Sequence, residues 1–181
     1  DVTNQESIDA AAKYIENQFG KLDILVNNAG IAIDNAPPSQ LDMEILRRTY
    51  ETNFFGVFAV TKAMLPLLRK AQAGRIVNTS SGLGSLTQNS DPNYEYAQIK
   101  YLAYNSSKTA LNAMTVQFAH ELKDTPIKVN SADPGYVATD INNYNGTRTV
   151  EQGATAAVRL ATLPDDGPTG SFFDENGVVP W

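Results

Sequence analysis

Leu22-Asp23-Ile24-Leu25-Val26-Asn27-Asn28-Ala29-Gly30 is the stretch whose reading decides the fold. Leu22 to Val26 is a short, largely apolar run that ends in a cluster of turn-forming residues. It follows a segment, 6–19, in which Ile8, Ala11, Ala12, Ile15 and Phe19 recur at helical spacing before Gly20 stops it. An apolar run that follows a helix and a glycine reads as a strand buried on both faces of a parallel sheet.

Working outward, Pro37 and Pro38 mark a loop, and 41–69 is a long helical stretch in which Pro66 is expected to cause a kink or break. A second strand is expected over 75–78, followed by Thr79-Ser80-Ser81-Gly82. Residues 82–101 are rich in Ser, Asn, Gly and Tyr and contain Pro92, so they read as loop and short helical turns. A helix follows over 103–122, with Leu111, Met114, Phe118 and Leu122 spaced for packing, then a strand over 127–131 leading to Asp133-Pro134-Gly135. A polar loop at 139–149, a helix at 150–163 and a last strand within 170–179 complete the chain. This alternation is α/β with a mostly parallel sheet, in one domain spanning 1–181. Ligands of such sheets sit beyond the carboxyl ends of the strands, which directs attention to 27–30, 79–82 and 133–139.

Composition narrows the chemistry. The 181 residues hold 20 Asp and Glu against 14 Lys and Arg, a net charge of −6, and no cysteine. Disulfides, thiolate metal sites and a cysteine nucleophile are therefore excluded. The single histidine, His120, offers no imidazole cluster, and no metal site is expected. The acidic balance argues against nucleic acid, which needs clustered Lys and Arg. No apolar run approaches the roughly 18 residues of a membrane span, and no signal-peptide pattern follows Asp1, so a cytoplasmic protein is expected.

Tyr104 and Lys108 lie four residues apart on one helix, so their side chains share a face. A nearby ammonium favours the phenolate and makes such a phenol a usable proton donor or acceptor. Tyr96 and Lys100 have the same spacing, but they lie in the loop-like segment after Pro92. Ser81, at a strand end, could donate a hydrogen bond to a carbonyl oxygen. Taken singly, each feature has an ordinary explanation: a solvated helix pair, a Ser-Ser-Gly turn, a strand-end turn at Asn27–Gly30, and a backbone-satisfied Asn53 near a helix irregularity.

Together and in this order they resemble the short-chain dehydrogenase/reductase family. The resemblance rests on 22–30, on Asn53 in Thr52-Asn53-Phe54-Phe55-Gly56, on Ser81, on Tyr104-Asn105-Ser106-Ser107-Lys108, and on Pro134-Gly135 followed by Thr139. It covers nearly the whole chain and is most similar to carbonyl-reductase-type members. It implies a Rossmann-like doubly wound parallel sheet and an NAD(P)H-dependent oxidoreductase acting on a ketone, an aldehyde or a secondary alcohol. The implied catalytic residues are Tyr104 as acid or base, Lys108 lowering its pKa and holding the nicotinamide ribose, Ser81 polarising the carbonyl, and Asn53 in a proton relay to Lys108. The implied cofactor contacts are Asp1 and Val2 on the adenine side, Asn27, Ala29 and Gly30 at the adjoining ribose, and Pro134, Gly135, Val137 and Thr139 at the nicotinamide end. The cofactor is expected to be NADP ahead of NAD. Tyr104 lies 30 positions before Pro134, the family spacing, whereas Tyr96 lies 38 before it.

Two departures shape further expectations. Ser81 and Tyr104 are 23 positions apart, so 82–103 reads as an insertion at the mouth of the site. It is expected to favour a monomer over a homo-oligomer and to supply Tyr94, Tyr96 or Tyr101 either to the pocket or to its own packing. Second, the family's glycine-rich phosphate loop is not found in the 181 residues, although Asp-Val-Thr at 1–3 matches a motif that follows it. The sequence is accordingly expected to be the C-terminal two-thirds of a longer protein, or a truncated form, without the first strands and helix, and in these residues alone the 22–26 strand is then expected at an exposed apolar edge. Enone C=C reduction and a catalytically inactive binding form are the alternatives. Retention of Tyr104 speaks for a carbonyl substrate, and the intact quartet speaks for turnover.

Overall fold

The computed structural model describes residues 1–181. Four parallel strands form one sheet in chain order: β1 (Ile24–Asn27), β2 (Arg75–Thr79), β3 (Lys128–Ala132) and β4 (Phe172–Phe173). Six α-helices accompany them: α1 (Gln5–Phe19), α2 (Met43–Tyr50), α3 (Val57–Leu68), α4 (Leu86–Ser90), α5 (Leu102–Glu121) and α6 (Val150–Ala161). The helix–strand alternation expected from the sequence is present.

The period-two alternation of each strand sorts the core into two layers. Ile76 and Val129 point to one face, where they pack with Met64, Leu67 and Leu68 of α3, Ala119 of α5, and Leu122 just beyond it. Ala12 and Ile15 of α1 close that layer from outside. Val77 and Ala132 point to the other face and meet Ala156 and Leu160 of α6. Helices on both faces make the sheet doubly wound and Rossmann-like, as expected.

Three expectations are corrected. β1 is not buried on both faces: Ile24 and Val26 remain 41% and 42% exposed, because β1 is the outer strand. The interruption of the 41–69 helical stretch falls not at Pro66 but at Glu51–Gly56, which form one π turn joining α2 to α3. Pro66 stands two residues before the end of α3, so only the final turn loses its hydrogen bond. The last strand shrinks to Phe172–Phe173, because the Asp174 carboxylate accepts from the N–H groups of Asn176 and Gly177 and folds the chain back, pairing Val178 with Phe173.

At the carboxyl end of the sheet the core turns polar. Asn27, Asn78 and Ser131 stand in one row across β1, β2 and β3. The Asn27 amide donates to Asn78 (2.8 Å) and to Thr61 of α3 (3.0 Å). Asn78 donates to Thr115 of α5 (2.8 Å), whose hydroxyl meets Ser131 (2.8 Å). These groups are buried and bonded to one another, which offsets their desolvation and fixes α3 and α5 over the strand ends.

Candidate active site

Four segments converge above that polar row. Ser81 follows β2 and begins a tight turn, 82–84, its hydroxyl accepting from the Leu83 N–H (3.2 Å). The turn lies directly on α5: a Cβ at Gly84 would stand 2.7 Å from the Lys108 Cβ and 2.9 Å from the Lys108 carbonyl carbon. Only glycine allows that approach, and it brings Ser81 to Tyr104. The spacing of four residues on α5 does the rest, setting the Lys108 Nζ 5.6 Å from the centre of the Tyr104 ring.

Burial, more than the neighbouring ammonium, governs the charges. The Tyr104 phenol is pushed up to about 12, chiefly by desolvation. A hydrogen bond with Ser81 works against that rise, and the Asp133 carboxylate adds to it. Lys108 is brought down to about 8, again by desolvation, with Asp133 pulling the other way. Its Nζ donates to the Thr79 carbonyl (2.7 Å), leaving two of three protons uncommitted. Tyr104 therefore stands as a protonated phenol beside Ser81. The rival pair does not form: Tyr96 lies in a turn, and Lys100 donates to the Asn89 carbonyl.

Asn53 is fully buried at the π turn. Its amide grips the main chain of Ile31 twice, accepting from the N–H (2.8 Å) and donating to the carbonyl (2.9 Å). It also donates to Ser107 (3.0 Å), which in turn donates to the Tyr104 carbonyl (2.8 Å). A Cβ added at Gly30 would stand 3.4 Å from both the Asn53 Oδ1 and the Lys108 Nζ. Asn53 and Lys108 thus face a common point at Gly30, and both N–H groups of the Asn53 amide are engaged.

The remaining sequence-indicated residues divide into two groups. Val2, Asn27 and Ala29 line a depression of about 170 Å3 with Leu25, Val57 and Val60 at the end of β1. The Asn27 amide is used inside the polar row, so a cofactor contact there falls to its main chain. The Asp1 carboxylate accepts from the N–H and hydroxyl of Thr3. On the other side, Gly135 adopts φ +71°, and its N–H donates to the Asp133 carboxylate (2.9 Å), setting the bend after β3. Val137 pairs with Arg148, and Thr139 caps the turn at Asp140–Asn142. A larger depression of about 240 Å3 lies among Leu68, Arg69, Asp124 and Ile127, before β3 and so at the opposite end of the sheet.

The insertion packs onto the site. Tyr94 contacts Tyr96 edge-on, with ring centres 5.6 Å apart, and Tyr96 contacts Tyr136 at 6.2 Å. Tyr101 is not part of that row; it stands 45% exposed immediately before α5. Ser107 is not singled out by the sequence, and Asp133 enters only as the first residue of the 133–139 strand end, with no role of its own. Ser107 lay unremarked inside the Tyr104–Lys108 motif. Asp133 is a carboxylate one residue past β3, and its charge at that position is the signal for an electrostatic role. His120 is exposed, far along α5 from Tyr104.

The residues fit a nicotinamide cofactor. A buried ammonium with two uncommitted protons stands beside Gly30 after β1, and Gly135 makes a positive-φ bend after β3 at the same end of the sheet. That arrangement suits ribose hydroxyls and a carboxamide.

A family model described as short chain dehydrogenase matches residues 1–149. The chain is 44% identical over 188 residues to the short-chain dehydrogenase anuI of Penicillium roqueforti, covering 99% of this chain and 73% of the relative. Among solved structures it resembles the carbonyl reductase Sniffer of D. melanogaster, with TM-score 0.87 and 29% identity over 100% of this chain and 76% of that one. It also resembles the NADPH-bound carbonyl reductase from chicken fatty liver, with TM-score 0.82 and 29% identity over 100% of this chain and 75% of that one.

Proposed function

We infer, for a chain that belongs to the short-chain dehydrogenase family and is an oxidoreductase by that membership, a reductase of ketones or aldehydes that uses NADPH ahead of NADH. The reverse reaction would oxidise a secondary alcohol. The observation that carries this reading is the Ser81–Tyr104–Lys108 arrangement, a protonated phenol between a hydroxyl donor and a buried ammonium.

Ser81 and Tyr104 would together hold the substrate carbonyl oxygen, one on each side, as preorganised donors. When bound, the nicotinamide supplies the hydride that reduces the carbonyl carbon. The Tyr104 proton then passes to the developing alkoxide oxygen. The ammonium of Lys108 would stabilise the resulting phenolate, and its two uncommitted protons would hold the ribose hydroxyls. Ala29, Gly30, Pro134, Gly135, Val137 and Thr139 would border the cofactor. Asn53 would serve mainly by fixing Ile31 and Ser107, with the Oδ1 that faces the Gly30 side as its contribution to a relay.

No helix of the chain is long and apolar enough to cross a membrane. The test is NADPH and NADH consumption with a panel of ketones, aldehydes and enones, wild type against Tyr104→Phe. Carbonyl turnover lost on removal of the phenol hydroxyl would support the reading. Turnover confined to enones, or cofactor binding without turnover, would select an alternative.

A further inference from the structure

Helix α5 begins without a cap of its own. The residue before it is Tyr101, whose side chain offers no acceptor to the first-turn amides, and the first turn is Leu102-Ala103-Tyr104. An α-helix leaves its first N–H groups without intrahelical partners, and an end in that state frays. Yet Tyr104 sits in that turn, where fraying would move the phenol.

The orphan donors are met from a distant part of the chain. Asp34, in the loop after β1, accepts from the Ala103 N–H through one carboxylate oxygen (2.8 Å) and from the Tyr104 N–H through the other (3.0 Å). Its charge also suits the positive end of the helix. Asp34 lies three residues beyond Ile31, whose main chain is held on both sides by Asn53. Asn53 holds Ser107, and Ser107 holds the Tyr104 carbonyl. The links therefore close into a ring: Tyr104 N–H, Asp34, Ile31, Asn53, Ser107, Tyr104 carbonyl. The Tyr104 peptide is gripped at both ends by groups that lead to one buried asparagine.

We propose that Asp34 is a positioning residue for Tyr104, closing a ring of hydrogen bonds that ties the acid–base phenol to the Gly30 end of β1. The proposal rests on the reading of Tyr104 as the proton donor. Asp34 touches neither substrate nor cofactor in this role; it acts through the first turn of α5.

The test compares wild type with Asp34→Ala and Asp34→Asn by amide hydrogen exchange and steady-state kinetics. In Asp34→Ala, exchange at Ala103 and Tyr104 should quicken by about 10- to 100-fold, the effect of losing a hydrogen bond to a charged acceptor, while Leu111–Leu122 stays unchanged. The kcat should fall about 10- to 100-fold through misplacement of the phenol, with cofactor KM unchanged. Asp34→Asn should recover part of both effects, since its single carbonyl oxygen can accept one of the two bonds. This variant also keeps the test open should Asp34→Ala fold poorly. Wild-type exchange at the two amides would overturn the brace. Faster exchange with wild-type kcat, or a lowered Tm alone, would overturn the positioning role. Absence of carbonyl turnover in the wild type would count against the catalytic reading, whereas the exchange rates would still decide the brace.

Discussion

The two ends of α5 are built on different principles. Near Tyr104 the buried polar residues Ser107, Lys108 and Asn112 each take part in a hydrogen bond, beside the apolar Ala103 and Leu111. Towards the other end Met114 and Ala119, with Leu122 just beyond, pack among apolar side chains, and Thr115 is the one buried polar residue there. Hydrogen bonds are directional and fix where an atom points, at modest net gain in stability. Apolar burial is non-directional and supplies most of the driving force for folding. One helix thus carries mainly placement at its start and mainly stability at its end, and the polar row of Asn27, Asn78 and Ser131 meets it between the two, at Thr115.

That contrast can be broken by substitutions at either end. The largest effect is expected from Tyr104→Phe, which should cut kcat by about 1,000-fold, within the range for a lost proton donor, while leaving Tm near wild type. A large fall in Tm, read by thermal unfolding, would show that the start of α5 also carries stability. Leu122→Ala should do the reverse. Leu122 is fully buried, and its truncation should cost about 3 kcal/mol in urea unfolding, with kcat per folded molecule retained.

Acidity sharpens the same division. Burial holds Lys108 at about 8, so its ammonium is present below that pH and lost above it. Reductive kcat/KM, which reports the free enzyme, should therefore fall as pH rises through about 8. A profile flat to pH 10 would show that the Lys108 charge is not needed. The smallest change is expected at the open face of β1. Ile24→Thr keeps a β-branched residue at a 41% exposed position and should alter stability by about 0.5 kcal/mol or less.

Much of this arrangement was readable beforehand because it is local. Tyr104 and Lys108 share a helix face through a four-residue spacing, and the apolar runs stopped by turn residues put the strand ends at 26, 78 and 131, each one residue short of the observed 27, 79 and 132. What escaped was long-range. Nothing near Asp34 in the sequence points to Tyr104, 70 residues away, since a loop carboxylate reads as solvated until the fold brings an uncapped helix to it. The openness of β1 was legible in another way: its apolar run alone reads as buried on both faces, but without the family's first strands beside it the same run is expected at an exposed edge, and Ile24 and Val26 are exposed there. The pKa balance also needed coordinates: spacing alone favoured a lowered phenol, whereas burial and Asp133 raise it.

The π turn at Glu51–Gly56 has a consequence for how this helix could change over evolutionary time. Such a turn holds one residue more than an α-turn in the same path. Each added residue rotates all that follows by about 100° around the axis. Removing a single residue from 51–56 would swing the Asn53 amide away from Ile31 and Ser107, or turn the core face of α3 away from the sheet. The helix thus keeps two phases at once, one for its core and one for its site, and a one-residue deletion there would be less tolerable than many substitutions.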